Sequence, residues 1–190
     1  MHTTIYLVRH AESPYIAGQE LTRGLSPAGW LAAQKVADML QAADIHVIVS
    51  SPYARAKQTV QVLAERKGLP ILEFEALRER LIIGQDYNAE WNEVVRAIEK
   101  SFTDLDYSLE AGESTGRAQE RSLPVIRQLL ADYPGKNIVI GTHGNIMTCI
   151  LNFFDSSYGY EFWRGTSMPD IYRLRFAGHE LTSLERVWKP

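Results

Sequence analysis

The 190-residue sequence has little cysteine, no long apolar run and no excess of basic charge. Its single cysteine, Cys149, excludes an intrachain disulfide and suits a reducing compartment, so a cytoplasmic location is expected. No stretch reaches the ~18 consecutive apolar residues of a membrane span, and no secretory signal is recognisable. With 20 basic and 23 acidic side chains, the net charge is −3. Neither a membrane nor nucleic acid is therefore expected as a partner.

The amino-acid composition is typical of one globular domain. Hydrophobic residues make up 45% of the chain and charged residues 23%, which are ordinary values for a soluble protein. No internal repeat divides the sequence, and neither does a linker rich in glycine, serine or proline. Residues 1–190 are therefore predicted to form a single domain, since typical domains contain ~100–200 residues.

Short apolar runs rich in β-branched residues alternate with segments of helical periodicity. Strands are predicted at residues 4–8, 45–49, 71–74 and 137–141. Helices are predicted at residues 27–40, from residue 53 to Gly68, and at 88–102, 114–133 and 146–154. Two final runs, 171–176 and 181–187, predict a hairpin. This order predicts an α/β fold, with a mostly parallel central sheet, helices on both faces and an antiparallel hairpin at one edge.

Two of the predicted helices carry further expectations. In residues 88–102, one face is predicted to be buried because its apolar residues recur at helical spacing; these are Trp91, Val94, Val95, Ile98 and Phe102. In residues 114–133, Pro124 is predicted to kink or split the helix, because proline lacks the N–H that a helix interior needs.

Polar residues follow three of the predicted strands. Arg9 and His10 follow the first strand, and His143 follows the strand at 137–141. Ser50-Ser51-Pro52 ends the second strand, with Arg55 one turn into the next helix. The carboxyl ends of parallel strands meet at one edge of a sheet, so these side chains are expected to converge. Two arginines beside helix N-termini favour a dianion such as phosphate.

Each of these features alone has an ordinary structural explanation, and their joint occurrence is what favours an active site. A metal site needs three or four protein ligands, but the sequence has neither HxH nor HExxH spacing and no second cysteine. No metal or other cofactor is therefore expected. A GxSxG serine elbow is also missing. A neutral histidine can itself attack phosphorus, while arginines and a second histidine stabilise the charge on the phosphoryl oxygens.

Four motifs in order carry a resemblance to a known family. They are LVRHAES at residues 7–13, SSPYARAKQT at 50–59, GES at 112–114 and THG at 142–144. Together they resemble the signature of the histidine phosphatase superfamily, also called the phosphoglycerate mutase-like family, over nearly the whole chain. The resemblance implies the phosphoglycerate mutase-like fold and a metal-independent phosphomonoesterase. It implies that His10 is the phosphorylated nucleophile and that Arg9, Arg55 and His143 bind the phosphoryl group.

The same resemblance implies a proton donor for the leaving group, usually an acid between the second motif and the GES segment. Leu77-Arg78-Glu79 is similar to the family's LRE segment, so Glu79 is the first choice. The alternative is that Glu79 only forms an ion pair with Arg78 or Arg80. The next candidates for the acid are Glu12, Asp86 and Glu90. Gly84 lies one residue later than the family's glycine, which leaves the placement of the acid open.

Three positions in the first motif region need comment. Ser13 is an auxiliary candidate for phosphate binding, with a local turn hydrogen bond as the alternative. Ala11 stands where glycine is usual, so the backbone is not expected to be left-handed there, and no loss of activity is expected. Ile16 stands where many members carry an asparagine near the phosphate, so that contact is absent or supplied otherwise.

The substrate is expected to be a small phosphorylated molecule. Residues 80–113 are predicted to cap the cleft, with Tyr87, Trp91 and Tyr107 available to pack on a substrate or in the core. Acidic residues at 104, 106, 110 and 113 would repel highly anionic substrates if they face the cleft. The family's cofactor-dependent mutases resemble longer chains with an extra C-terminal tail, so a phosphatase is preferred. The alternatives are a phosphoglycerate mutase and a non-catalytic module that binds a phospholigand. A monomer or a homodimer paired at the hairpin edge is expected.

Overall fold

The computed structural model describes residues 2–84 and 86–189, so residues 1, 85 and 190 of the predicted domain lie outside the described residues. Its core is one six-stranded sheet with the order β3-β2-β4-β1-β5-β6. The strands are β1 His2–Arg9, β2 Ile45–Ser50, β3 Ile71–Glu73, β4 Asn137–Thr142, β5 Asp170–Ala177 and β6 Glu180–Arg186. The first four are mutually parallel, and β5 and β6 form an antiparallel hairpin at the edge. The predicted α/β class and the edge hairpin are therefore confirmed.

Six helices connect or follow these strands in the described part of the chain. They are α1 Pro27–Leu40, α2 Ala54–Lys67, α3 Trp91–Thr103, α4 Thr115–Asp132, α5 Gly144–Phe154 and α6 Tyr160–Gly165. A single 3-10 turn, Glu75–Leu77, follows β3. None of the helices described in residues 2–84 and 86–189 is both long and apolar enough to cross a membrane.

The sheet separates two hydrophobic clusters. Ile138 and Ile140 of β4 join the cluster that packs against α4 and α5, whereas Val139 joins the cluster that packs against α1 and α2. Side chains alternate between the two faces of a strand, so a strand covered on both faces must be apolar at every position. This double coverage explains the uninterrupted apolar runs in the sequence, and it leaves only the ends of the strands free for polar residues.

The residues that signal helix ends in the sequence lie at the ends of α1 and α2 in the structure. The Ser26 side chain accepts a hydrogen bond from the Gly29 N–H at 2.9 Å, so Ser26 caps α1 as its position before Pro27 indicates. Gly68 ends α2 with a positive φ of 65°. The hexapeptide α6 was not predicted, because six residues are too few to show a helical period.

The structure corrects two expectations about helices, one of them only in part. α4 runs unbroken from Thr115 to Asp132 with Pro124 inside it, so proline does not split the helix, and a kink at Pro124 remains a prediction. Packing of its apolar face, including Ile126 and Leu129, outweighs the lost hydrogen bond. Trp91 is 66% exposed rather than buried, because α3 begins at this residue and only the later part of the helix, around Ile98, is covered.

Residues 80–113, the predicted cap, contain α3 and a pair of backbone contacts that close their base. The Gly84 N–H donates to the Glu110 carbonyl at 3.0 Å, and the Glu113 N–H donates to the Leu81 carbonyl at 2.7 Å. These bonds bring the segment after the LRE motif beside the GES motif. Whether the whole segment acts as a cap remains a prediction.

Candidate active site

The ends of β1 and β4 bring two histidines together. The strands are parallel neighbours with Arg9 opposite Thr142, so the next residues, His10 and His143, lie side by side. The His10 N–H continues the ladder by donating to the Thr142 carbonyl at 2.9 Å. The two imidazole rings meet edge to face with their centroids 5.3 Å apart. The register of the sheet thus places both rings in one site.

His10 is held in one tautomer and without charge. Its side chain is 6% exposed, and Nδ1 lies 2.8 Å from the Ala11 carbonyl oxygen. Because a carbonyl oxygen only accepts, Nδ1 carries the proton and Nε2 keeps its lone pair. The pKa of His10 is lowered to about 3, chiefly by burial and also by the guanidinium charges of Arg55, Arg9 and Arg23, while the Ala11 hydrogen bond acts in the opposite direction. A neutral imidazole with a free Nε2 is the form that can act as a nucleophile.

His143 is fully buried behind His10. Its Nε2 lies 2.8 Å from the Ser51 hydroxyl, and its ring packs edge to face on Tyr53 with centroids 5.1 Å apart. Burial lowers the pKa of His143 well below its ordinary value, and the neighbouring His10 and Arg55 add to the effect. Both imidazoles are therefore neutral near pH 7.

The Arg9 side chain packs closely against the start of α5, where Gly144 has no side chain. A Cβ on Gly144 would lie 2.8 Å from Arg9 Nε, which is closer than real contacts allow, so the THG glycine makes room for the guanidinium. Arg9 Nη1 donates to the carbonyl oxygen of Thr166 at 3.1 Å and to its hydroxyl. Nε is left without a partner among the described residues.

Arg55, the second residue of α2, is 1% exposed. Its guanidinium carbon lies 5.0 Å from the centroid of the Tyr53 ring, which fixes the plane of the group. Nη1 donates to the Glu20 carbonyl at 2.7 Å, and Nη2 lies 3.2 Å from the Glu20 carboxylate. Its Nε has no partner among the described residues.

Buried polar atoms without a partner concentrate at this site. Within residues 2–84 and 86–189 they are Arg9 Nε, Arg55 Nε, His143 Nδ1, Thr142 Oγ1 and Asn145 Nδ2. Native proteins pair nearly all such atoms, so a cluster of them needs an explanation. Three belong to the residues expected to bind a phosphoryl group, and the other two flank His143 in the sequence. An anion with several acceptor oxygens would satisfy these donors.

The remaining residues of the second motif hold the segment that follows His10. The Thr59 hydroxyl accepts from the Ala11 N–H at 2.9 Å, and the Gln58 side chain accepts from the Leu25 N–H at 2.8 Å. Ala11 is fully buried and does not have a positive φ, since Ala111 is the only such non-glycine among the described residues. The expectation for the backbone at Ala11 is therefore confirmed.

Glu79 lies at the N-terminus of α5, directly beyond His143. Its carboxylate accepts from the backbone N–H groups of Asn145 at 3.2 Å, Ile146 at 2.9 Å and Arg80 at 2.9 Å. It forms no ion pair with the side chain of Arg78 or Arg80 in the part of the chain that the structure describes. The structure thus brings Glu79 to the site, whereas the alternative acids are exposed; these are Glu12, Asp86 and Glu90.

Ser13 lies near the site but is engaged in its own loop. Its hydroxyl donates to the Gly24 carbonyl at 2.8 Å and accepts from Arg23 Nη1 at 2.8 Å. The partners in these two bonds lie eleven and ten residues along the chain, so they are not the local turn hydrogen bond of the alternative interpretation, and phosphate binding by Ser13 remains a prediction. Ile16 is 43% exposed, and its apolar side chain cannot donate a hydrogen bond to an anion.

A cavity of about 330 Å³ opens beside Glu79. Its lining includes Tyr53, Arg78, Leu81, Glu113 and Arg117, but not the predicted aromatics Tyr87, Trp91 and Tyr107. Glu113 is bound by both Nε and Nη2 of Arg121, so its charge is balanced. The acidic residues at 104, 106 and 110 are exposed and do not line this cavity.

The lining of the cavity combines two arginines, Arg78 and Arg117, with the carboxylates of Glu79 and Glu113. Arg117 has no acidic partner in the described part of the chain, and it occupies the third residue of α4. A cation in the first turn of a helix opposes the helix dipole, so this position is unfavourable for folding alone. Sequence analysis missed Arg117, because nothing in its local pattern shows that α4 begins beside Glu79.

Two further charged residues near His10 were also missed: Glu20 and Arg23. Both lie in the irregular segment between β1 and α1, where no periodicity indicates which side chains point inward. Among the described residues, no three side chains of the types His, Cys, Asp and Glu are grouped so that they could hold a metal ion.

The model of the histidine phosphatase superfamily (branch 1) matches residues 5–187. The chain belongs to this superfamily. A phosphatase of Bacillus subtilis (strain 168), the uncharacterised PhoE, is 26% identical over 153 residues, covering 78% of this chain and 76% of that protein. The probable phosphoglycerate mutase GpmB of Proteus mirabilis (strain HI4320) is 29% identical over 157 residues, covering 78% and 73%.

Solved structures agree on the fold. The native structure of a mycobacterial glucosyl-3-phosphoglycerate phosphatase matches with a TM-score of 0.76 and 21% identity, and the match covers 98% of each chain. This member of the superfamily therefore has the phosphoglycerate mutase-like fold. Its relatives support a phosphatase at the level of the superfamily.

Proposed function

We propose that this histidine phosphatase hydrolyses small phosphomonoesters through a phosphohistidine on His10, without a metal. The observation that carries the proposal is the set of buried donors without partners on Arg9, Arg55 and His143, beside a neutral His10. Three donors around one nucleophile match the oxygens of a phosphoryl group.

In the first step, the lone pair of His10 Nε2 attacks phosphorus, and the bond from phosphorus to the ester oxygen breaks. The Nδ1–H bond to the Ala11 carbonyl supports the positive charge that the ring acquires. Arg9, Arg55 and His143 donate to the phosphoryl oxygens as charge shifts towards the leaving group. If the Ser51 hydroxyl donates to His143 Nε2, then His143 Nδ1 carries the proton that it donates.

Glu79 is proposed to protonate the leaving oxygen. Three N–H groups fix its carboxyl group beside the site, and an alkoxide leaving group needs a proton from an acid held there. In the second step, the Glu79 carboxylate takes a proton from water, which attacks phosphorus. The P–N bond then breaks, inorganic phosphate leaves, and both His10 and Glu79 return to their starting states.

We further propose that the leaving group occupies the cavity beside Glu79 and carries a negative charge of its own. Arg78 lies near the carboxylates of Glu75 and Glu113, whereas Arg117 lines the cavity without an acidic partner among the described residues. A carboxylate on the substrate could therefore pair with Arg117.

The first experiment is a screen of phosphate release from a panel of phosphomonoesters in EDTA, with His10→Asn as the matched inactive variant. Isomerisation of 3-phosphoglycerate is measured alongside, with and without 2,3-bisphosphoglycerate, because one relative is named as a probable mutase. Phosphate release that survives EDTA and disappears in His10→Asn would support the proposal. Isomerisation that depends on the bisphosphate would replace the phosphatase by a mutase, and no turnover at all would favour a binding module.

A further inference from the structure

The segment between His10 and α1 carries a third arginine to the site; we name residues 11–26 the arginine loop. The Arg23 side chain is 11% exposed. Its Nη1 donates to the carbonyl oxygen of Ser13 at 2.9 Å and to the Ser13 hydroxyl at 2.8 Å. Gln58 of α2 holds the end of the loop through the Leu25 N–H. Arg23 is thus fixed by the loop rather than free in solvent.

One carboxylate joins Arg23 to Arg55. Glu20 Oε1 lies 3.0 Å from Arg23 Nε, and Glu20 Oε2 lies 3.3 Å from Arg23 Nη2 and 3.2 Å from Arg55 Nη2. The two guanidinium groups therefore face a single anion from two sides. Such an arrangement is a clamp for an oxyanion, and in this structure the anion is supplied by the protein itself.

The members of this clamp differ in their freedom to move. The Arg55 side chain is 1% exposed, whereas the Glu20 side chain is 38% exposed on a loop. Arg55 cannot leave the site without unpacking α2, but Glu20 can turn into water. Arg23 also acts on the reaction centre, because its charge contributes to the lowered pKa values of both His10 and His143.

Electrostatics decides what happens when a phosphoryl group arrives. A dianion next to the Glu20 carboxylate would be repelled, yet its two charges attract the guanidinium groups more strongly than the single charge of Glu20 does. The free energy of replacing the Glu20 carboxylate by a phosphoryl group is therefore expected to be favourable. The stronger the attraction between Glu20 and the two arginines, the weaker the binding of phosphate.

We propose that Arg23 is a third phosphoryl-binding arginine and that the Glu20 carboxylate competes with the phosphoryl group for Arg23 and Arg55. The proposal rests on the proposed function only in taking Arg55 as a phosphoryl ligand. Glu20 would then act as a built-in competitor that weakens the binding of substrate and of product phosphate alike.

The test measures the binding of inorganic phosphate by calorimetry and by competitive inhibition of turnover, in four variants of the full chain. Glu20→Gln keeps the shape of the side chain but removes its charge, so phosphate should bind roughly tenfold more tightly. Arg23→Ala should weaken phosphate binding roughly tenfold. Arg23→Lys should weaken it less, because lysine keeps the positive charge but lacks the planar guanidinium group that donates two parallel hydrogen bonds. In the double variant Glu20→Gln/Arg23→Ala, the gain from removing Glu20 should shrink, since one of its two partners is gone.

A second arginine–glutamate pair provides the matched control. Arg173 Nη2 lies 2.6 Å from Glu185 on the β5–β6 hairpin, away from the site. Arg173→Ala and Glu185→Gln should leave phosphate binding unchanged. Unfolding midpoints of all variants establish that the loop is intact, and Arg23→Lys keeps the test valid if Arg23→Ala does not fold.

Two outcomes would overturn the proposal. If Glu20→Gln weakens phosphate binding as Arg23→Ala does, then the carboxylate positions the arginines instead of competing for them. If neither variant changes phosphate binding, the clamp lies outside the phosphoryl site. Failure of the proposed function is distinct, because phosphate calorimetry needs no turnover: a chain that cleaves no ester but shows the expected pattern would keep this inference and lose the phosphatase.

Discussion

The imidazole rings of His10 and His143 meet edge to face, with their centroids 5.3 Å apart, although the two residues lie far apart in the sequence. The parallel register of β1 and β4 produces this contact, and both rings are buried in it without charge. The two neutral imidazoles are in contact and are bordered by guanidinium groups. One of them can serve as the nucleophile and the other as a hydrogen-bond donor.

Replacement of His10 should remove the covalent intermediate. His10→Asn is expected to lower kcat about a thousandfold or more, because no other buried side chain offers a lone pair at that position. Incubation with a radiolabelled ester, followed by rapid quenching, should yield a phosphoenzyme that is stable in base and labile in acid, as a phosphohistidine is. The exposed His179 provides the control, and His179→Asn should label like the wild type. A phosphoenzyme that persists in His10→Asn would refute the assignment.

Acid should destabilise the protein through His10. Its pKa is lowered to about 3 in the folded state from an ordinary value of 6.5. Between these values the unfolded chain binds more protons than the folded chain, so stability is retained above pH 6.5 and is lost as the pH falls towards 3. Between pH 7.5 and 4.5, the wild type should lose about 2 kcal/mol more unfolding free energy than His10→Gln. Urea unfolding at the two pH values measures the difference, and equal losses would show that His10 is charged in the folded state.

The contribution of Glu79 to the rate of hydrolysis should be larger for esters with a poorer leaving group. Glu79→Gln keeps the size of the side chain and is expected to slow the hydrolysis of alkyl phosphates about a hundredfold, because an alkoxide needs a proton. Hydrolysis of p-nitrophenyl phosphate should slow far less, since nitrophenolate leaves without one. Glu73→Gln on exposed β3 is the control. An equal loss for both substrate types would instead indicate that Glu79 positions the start of α5.

Arg117 should favour esters whose leaving group carries a negative charge, and it should lower the folding stability of the protein. 3-Phosphoglycerate and glycerol 3-phosphate differ only in a carboxylate against a hydroxymethyl group, so their ratio of kcat/KM isolates that charge. We expect the wild type to prefer 3-phosphoglycerate roughly tenfold, with the preference lost in Arg117→Ala and partly kept in Arg117→Lys. Arg117→Ala should also raise stability by about 0.5 kcal/mol, because it relieves the helix dipole.

The control for Arg117 is Arg175→Ala, at an exposed position of β5 opposite Thr4 and far along the strand from Arg9. This variant should change neither the ratio nor the helix stability. If Arg117→Ala lowers kcat/KM equally for both esters, then Arg117 acts on the phosphoryl group and not on the leaving group.

The class of fold, and the site residues that directly follow strands, could be predicted from the amino-acid sequence. Buried strands must be apolar on both faces, so β1, β2 and β4 are visible as uninterrupted runs, and the polar residues that end them stand out. Their convergence follows from the rule for parallel sheets alone. The resemblance of the motifs to the family also predicts the roles of His10, Arg9, Arg55 and His143.

The loop residues that reach that edge of the sheet could not be predicted in this way, because their positions depend on how the chain folds. Glu20 and Arg23 lie in an irregular segment whose path depends on contacts with α2, such as that of Gln58 with Leu25. The exposure of Trp91 and the continuity of α4 through Pro124 likewise depend on where helices begin and what packs on them. Periodicity and spacing report interactions between near neighbours in the chain. The clamp of Glu20 between two arginines joins distant segments, and its geometry exists only once the chain has folded.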